Sequence, residues 1–180
     1  MRNLALFLIL VFLGANAHAA QKHIYERFEH HKEIKVFLKS VSNEVSNPVV
    51  NTDVFSSGFK TALKGRQAVK FVPVENEADA DVIITAAIKD FDFVKEAMPS
   101  PANSVGFIAD VATPKSSARL TVDYQLIDAK SGEILSNYNN FATDYRAPRI
   151  DTTEEKAYKY AVEDNADKFA VKAFYAPRHK

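Results

Sequence analysis

The sequence predicts an α+β two-layer sandwich, in which a mixed sheet of four to five strands carries two helices packed on one face. Three observations predict it. Ala118, Leu120, Val122, Tyr124 and Leu126 alternate with Arg119, Thr121, Asp123 and Gln125, the period-two mark of a strand with one buried face. Val82-Ile83-Ile84 and Ala86-Ala87-Ile88 make the most apolar stretch after the leader and read as a central strand buried on both faces. Tyr158, Val162, Ala166, Phe169 and Ala173 recur at helical spacing. Two packed layers around one core accommodate that mixture.

Taken in order, residues 1–19 read as a signal peptide. Arg2 is the basic start, Leu4 to Leu13 form an uncharged apolar run, and Ala17-His18-Ala19 offers the small-x-small site for cleavage after Ala19. The run is about half of the ~20 residues a membrane span needs. No later segment is long and apolar enough to span. Removal of the leader leaves roughly 160 residues, enough for one domain with one core.

Residues 20–32 read as a polar N-terminal arm, 33–176 as a single domain and 177–180 as a tail. Ile34, Val36 and Leu38 alternate with Lys35 and Lys39 as a strand, and Phe37 is expected on its second face. Thr52 or Asp53 can cap a helix built on Phe55, Phe59, Ala62 and Leu63, with Gly65 as C-cap. The strand-like run Val69 to Val74 contains Pro73, which places it at an edge or ends it. After an acidic turn comes the central strand. Its apolar phase slips between Ile88 and Phe91, so a bulge is expected near Lys89 and Asp90.

Residues 97–117 contain Pro99, Pro101, Pro114 and Gly106 around the apolar patch Val105-Gly106-Phe107-Ile108, and read as a long loop. The alternating strand then enters a turn at Asp128-Ala129-Lys130-Ser131-Gly132, with Gly132 placed for positive φ. Glu133 to Tyr145 returns as its hairpin partner. Thr152 and Glu155 suggest a capping box for the final helix, which Pro177 ends.

Two stretches carry a family resemblance. Ala78-Asp79-Ala80-Asp81-Val82-Ile83-Ile84-Thr85-Ala86-Ala87-Ile88-Lys89-Asp90-Phe91 is similar to the "ADYVLTGxIxDF" segment of the curli-secretion lipoprotein family. The run from Ala118 to Leu135, which includes Val122-Asp123, Ile127-Asp128 and Ser131-Gly132-Glu133-Ile134-Leu135, resembles that family's "AxVxVDxRLVDxxTGEVL" hairpin. Similar hairpins occur in the lipopolysaccharide-assembly lipoprotein, the penicillin-binding-protein activator lipoproteins and the auxiliary lipoproteins of lipid transporters. The resemblance implies a scaffold or adaptor role in envelope assembly, transport or secretion. This sequence departs from those families in having no cysteine for a lipid anchor, with Ala19-Ala20-Gln21 at the expected cleavage site. A periplasmic location without an anchor is therefore expected.

Chemistry finds little support in the residues. Lysine plus arginine equal aspartate plus glutamate at 23 each, and loss of Arg2 leaves about −1, which argues against a general nucleic-acid binder. His23, His30, His31 and His179 all fall in the arm or the tail. Adjacent histidines seldom ligate one ion, so His30-His31 beside Glu29 reads as a solvated face rather than a metal site. Asp79 with Asp81, and Asp90 with Asp92, share strand parity as calcium or acid–base pairs must, yet a strand entry and a bulge attract polar side chains anyway. No Gly-x-Ser-x-Gly elbow, P-loop or dinucleotide fingerprint is present. No catalytic residue, metal or cofactor is expected.

Binding therefore remains, with envelope proteins or lipid-transport machinery as partners. Val105, Phe107 and Ile108 in the loop, and Tyr138, Phe141 and Tyr145 on a late and possible edge strand, are the candidate anchors. A free sheet edge could also accept a partner strand. The alternative is a carrier or chaperone enclosing a small apolar ligand or lipid between the sheet and the final helix.

Overall fold

The computed structural model describes residues 27–28, 31–65, 70–95, 116–147 and 152–174. Five strands lie there: β1 (Glu33–Asn43), β2 (Lys70–Pro73), β3 (Val82–Lys95), β4 (Ser116–Asp128) and β5 (Ile134–Ala147). Two helices, α1 (Thr52–Lys64) and α2 (Glu154–Phe174), and a 3-10 turn at Glu77–Asp79 complete the set. The leader expected at 1–19, the tail at 177–180, and Val105, Phe107 and Ile108 lie outside the described residues.

The strands form one sheet of order β2-β1-β3-β4-β5. β1 runs parallel to both β2 and β3, while β3, β4 and β5 are successively antiparallel. Both helices cover the same face, giving the α+β two-layer sandwich that the sequence predicts. Val82, Ile84, Ala86 and Ile88 of β3 and Leu120, Val122, Tyr124 and Leu126 of β4 supply the sheet side of the core. Phe55, Phe59 and Leu63 of α1, with Tyr158, Val162, Ala166 and Phe169 of α2, supply the helix side.

The phase slip in β3 is a bulge where it was expected. Ile88 faces Val122 and Asp90 faces Thr121, so Lys89 is the extra residue. Phe91 thereby returns to the helix side and packs edge-on against Tyr158, with ring centroids 5.0 Å apart. β3 is not buried on both faces throughout. On the side away from the helices Ile83 is buried, but Thr85 and Ala87 are only half-buried, because no described element covers them. Phe37 sits on that second face, paired with Ile83.

Gly65 is the C-cap of α1 as expected, but both N-caps differ from the sequence reading. Asn51, not Thr52 or Asp53, caps α1: its Oδ1 accepts from the backbone N–H of Asp53 at 2.7 Å and of Val54 at 3.3 Å. At the head of α2, Thr153 rather than Thr152 holds the capping position, its Oγ1 accepting from the N–H of Lys156 at 3.4 Å. The expectations for Pro73 and Gly132 hold. Pro73 ends a four-residue edge strand, and Gly132 has φ of 71° in the β4–β5 turn.

The helices cross at Gly58, which is buried against α2. A Cβ there would lie 2.9 Å from Val162 Cγ1, on a stiff β-branched side chain that cannot move aside cheaply. Alanine gains about 1 kcal/mol of helix propensity over glycine, but overpacking costs about 1–3 kcal/mol. Gly58→Ala should therefore lower the urea midpoint in the natural background. In a Val162→Ala background, where the obstructing methyl is gone, the same change should raise it.

Candidate functional site

Tyr138, Phe141 and Tyr145 project to the helix side of β5 and are partly buried. Tyr138 meets Phe169 edge-on at 5.4 Å, and Phe141 contacts Phe169 and Tyr124, each at 6.1 Å. Tyr145 stacks on Tyr160 at 5.6 Å. The Lys172 ammonium caps the group, 5.7 Å from the Tyr138 ring and 5.3 Å from that of Phe141. These rings fasten β5 to α2. Of the three, Tyr145 with its neighbour Tyr160 reaches the surface most directly, since Tyr160 is 43% exposed.

A bulge explains why Tyr138 and Phe141 share a face although their numbers differ in parity. Val122 pairs with Phe141 and Tyr124 with Tyr138, so Asn139 and Asn140 together face Asp123. Asn140 adopts φ of 51°, a left-handed conformation that asparagine tolerates better than most residues. Its N–H donates to Asp123 Oδ1 at 2.5 Å, which holds the bulge shut. From Phe141 to Ala147 the pairing with β4 then runs without a shift.

Asn165 is the residue the sequence reading missed. It is fully buried in α2. Its Oδ1 accepts from the Tyr124 hydroxyl at 2.7 Å, and its Nδ2 donates to Leu120 O, Phe141 O and Thr143 Oγ1 at 3.1–3.3 Å. A polar residue midway between Val162 and Phe169, inside the apolar stripe, was the available signal. Burial pushes the Tyr124 hydroxyl well above its ordinary range, so it stays protonated and acts as donor to Asn165.

The other polar knot is Asp128, at the mouth of the hairpin. Oδ1 accepts from the N–H of Ser131 at 2.7 Å, the hydroxyl of Ser131 at 2.8 Å and the N–H of Lys130 at 3.1 Å. Oδ2 pairs with Arg27 Nη2 at 2.8 Å. Arg27 and Phe28, counted with the arm in the sequence, are thus fastened to the domain, and Phe28 meets Phe174 at 6.1 Å. Asp81 plays a similar part, its carboxylate accepting from the Lys35 N–H at 3.0 Å.

The sheet face away from the helices is organised in cross-strand rows. Phe37, Ile83, Ile127 and Ile134 make an apolar row, and Ser40, Thr85, Gln125 and Asn137 make a polar one. Short side chains leave a shallow depression of about 280 Å³ over Ser42, Thr85 and Asn139. Further along, Asp92, Arg119 and Asp144 lie side by side, then Val94, Ser117 and Arg146.

The sheet's two edges are unlike. β2 is four residues long, begins with Lys70 and ends at Pro73, two devices that discourage a further strand. β5 is 14 residues long, and no described strand pairs with its outer side. Among the described residues no cluster of three or more histidine, cysteine, aspartate or glutamate side chains could hold a metal ion, and no helix is long and apolar enough to cross a membrane.

No family model and no curated protein matches the chain. Among solved structures it is similar to the hypothetical protein CT253 of Chlamydia trachomatis, at 11% identity and a TM-score of 0.47, covering 78% of this chain and 98% of that one. It is also similar to PelC of Paraburkholderia phytofirmans, crystallised as a dodecamer, at 13% identity and a TM-score of 0.42, covering 81% and 91%. The lipoprotein GNA1162 of Neisseria meningitidis matches at 10% identity and a TM-score of 0.37, covering 76% and 98%. Lipoproteins are thus among the similar solved structures.

The Asp128 knot predicts an acid sensitivity. Burial, the largest single influence, pushes its pKa up, but the Ser131 hydrogen bonds, the Arg27 charge and the Lys130 N–H together outweigh it and hold the pKa below the ordinary 3.8. A depressed folded pKa stabilises the fold above the unfolded value, and that stabilisation is lost as pH falls through the folded value. Asp128→Asn should cost about 2 kcal/mol in urea unfolding at pH 7. The gap to the natural protein should narrow steadily below about pH 4.

Proposed function

We propose that this protein is a non-enzymatic, periplasmic adaptor or scaffold of cell-envelope assembly, transport or secretion, which takes up a protein partner by adding a strand along β5. The contrast between the two sheet edges carries the reading. An exposed row of backbone N–H and C=O groups is a template for strand addition, and here one edge is closed by sequence while the other is left long. The stretches that resemble the curli-secretion lipoproteins form β3 and the β4–β5 hairpin, next to that edge.

Two further observations support binding over chemistry or carriage. Three buried polar groups, Asn165, Tyr124 and Asp128, have their hydrogen bonds taken up in holding α2 and the hairpin, while the buried hydroxyls of Ser116 and Tyr138 find no partner among the described residues. The space between sheet and helices is filled by rings: Tyr124 stacks on Phe169 at 3.9 Å, and Phe59 lies 6.0 Å from Tyr124. That packing favours an adaptor over the carrier of a small apolar ligand.

A photo-crosslinking amino acid placed at Ala142, exposed on β5, should form a covalent adduct with a protein in the periplasm. The same group at Thr61, exposed on α1, should not. Equal yields from the two positions would overturn the reading. The 97–117 segment is the second surface of this proposal, although Ser116 and Ser117 already belong to β4. Deleting Val105 to Ala109 should leave the thermal transition unchanged and reduce co-purification of envelope proteins, and an unchanged pull-down would remove the loop from the reading.

A further inference from the structure

We propose that the strand completing the β5 edge is β5 of a second copy, in an antiparallel two-fold pairing centred on Tyr145. The inference rests on the edge reading above and names the occupant of that edge. Beyond the Asn139–Asn140 bulge, Phe141 to Ala147 is a regular stretch without proline or lysine. It lacks the lysine and proline that close β2, and its two charges, Asp144 and Arg146, are of opposite sign.

Charge fixes the register. Asp144 and Arg146 are both exposed and lie on the face away from the helices, one strand step apart. In an antiparallel pair centred on Tyr145, Asp144 stands opposite the partner's Arg146, and the symmetry makes this contact twice. The existing row Asp92–Arg119–Asp144 already alternates in sign, and the partner's Arg146 continues the alternation. Moving the centre to Asp144 sets two carboxylates against each other, which is destabilising. Moving it to Thr143 brings Arg146 opposite the partner's Asn140, at the bulge, and gains no ion pair.

The helix face is self-complementary about the same axis. Tyr145 stacks on the exposed ring of Tyr160, so the axis brings two such pairs together and covers both Tyr160 rings. Lys156 and Asp164 lie one helical turn on either side of Tyr160 on the same face, and the Asp164 carboxylate already pairs with Lys168 at 2.7 Å. An antiparallel α2 pair therefore sets Lys156 against the partner's Asp164. The helix layer fits the centre that the strand charges fix.

The test is the mass of protein purified from a periplasmic extract, measured by size-exclusion chromatography with light scattering over a dilution series, with circular dichroism confirming that each variant folds. The natural protein should run as a dimer. Asp144→Arg alone, or Arg146→Asp alone, places like charges opposite each other and should weaken the dimer at least about tenfold. The double variant Asp144→Arg/Arg146→Asp restores the pairs and should dimerise as the natural protein does, and the two single variants mixed should form a heterodimer. A monomeric natural protein, or a dimer indifferent to these charges, overturns the second copy as occupant. If the Ala142 crosslinker still captures a different protein, the edge reading stands while this inference falls; if it captures nothing, both fall.

Discussion

The buried side chain of Asn165 is the contact on which the arrangement of layers depends. One amide spans two strands and a helix, taking the Tyr124 hydroxyl on one side and giving its hydrogens to carbonyls of β4 and β5 on the other. An apolar helix face can slide or rotate over a sheet at modest cost, since dispersion has little direction. A buried amide cannot, because displacement by one position leaves polar groups unpaired in the core at a cost of about 1–3 kcal/mol each. Asn165 thereby sets which ring of α2 meets which ring of β4 and β5. Stacking of Tyr124 on Phe169, and of Tyr145 on Tyr160, follows from that placement.

Much of the fold was legible because its signals are local. Proline in β2 cannot continue a ladder, glycine at the hairpin needs its positive φ, and two polar residues in succession mark the bulge in β3. What was missed depends on partners distant in sequence. Asn51 and Thr153 cap helices one position away from equally plausible neighbours, and only backbone geometry chooses between them. Asn165 looked like an interruption of an apolar stripe, whereas its partners lie more than 20 residues away.

The aromatic residues of β5 show the same limit for the site. Tyr138, Phe141 and Tyr145 were legible as candidate anchors on a late strand, but their orientation was not. Strict alternation puts Tyr138 and Phe141 on opposite faces. The Asn139–Asn140 bulge reunites them under α2, and nothing short of the Asp123 contact marks where the bulge falls. The edge itself was anticipated as a free rim. Its contrast with the β2 edge emerges only once strand order is known, because β2 and β5 lie far apart in sequence and at opposite sides of the sheet.

The Arg27–Asp128 pair also gives the domain a direction. It clamps the incoming chain beside the β4–β5 turn, where β1 and β3 begin, whereas the regular half of β5 lies at the other end of the strands. At about 3.3 Å per residue, the stretch of β4 between Asp128 and Ser117 separates the two by roughly 35 Å. Arg27 therefore marks one pole, and the pairing proposed for β5 would occupy the other. A contact made at one pole leaves the other, a full strand's length away, unobstructed.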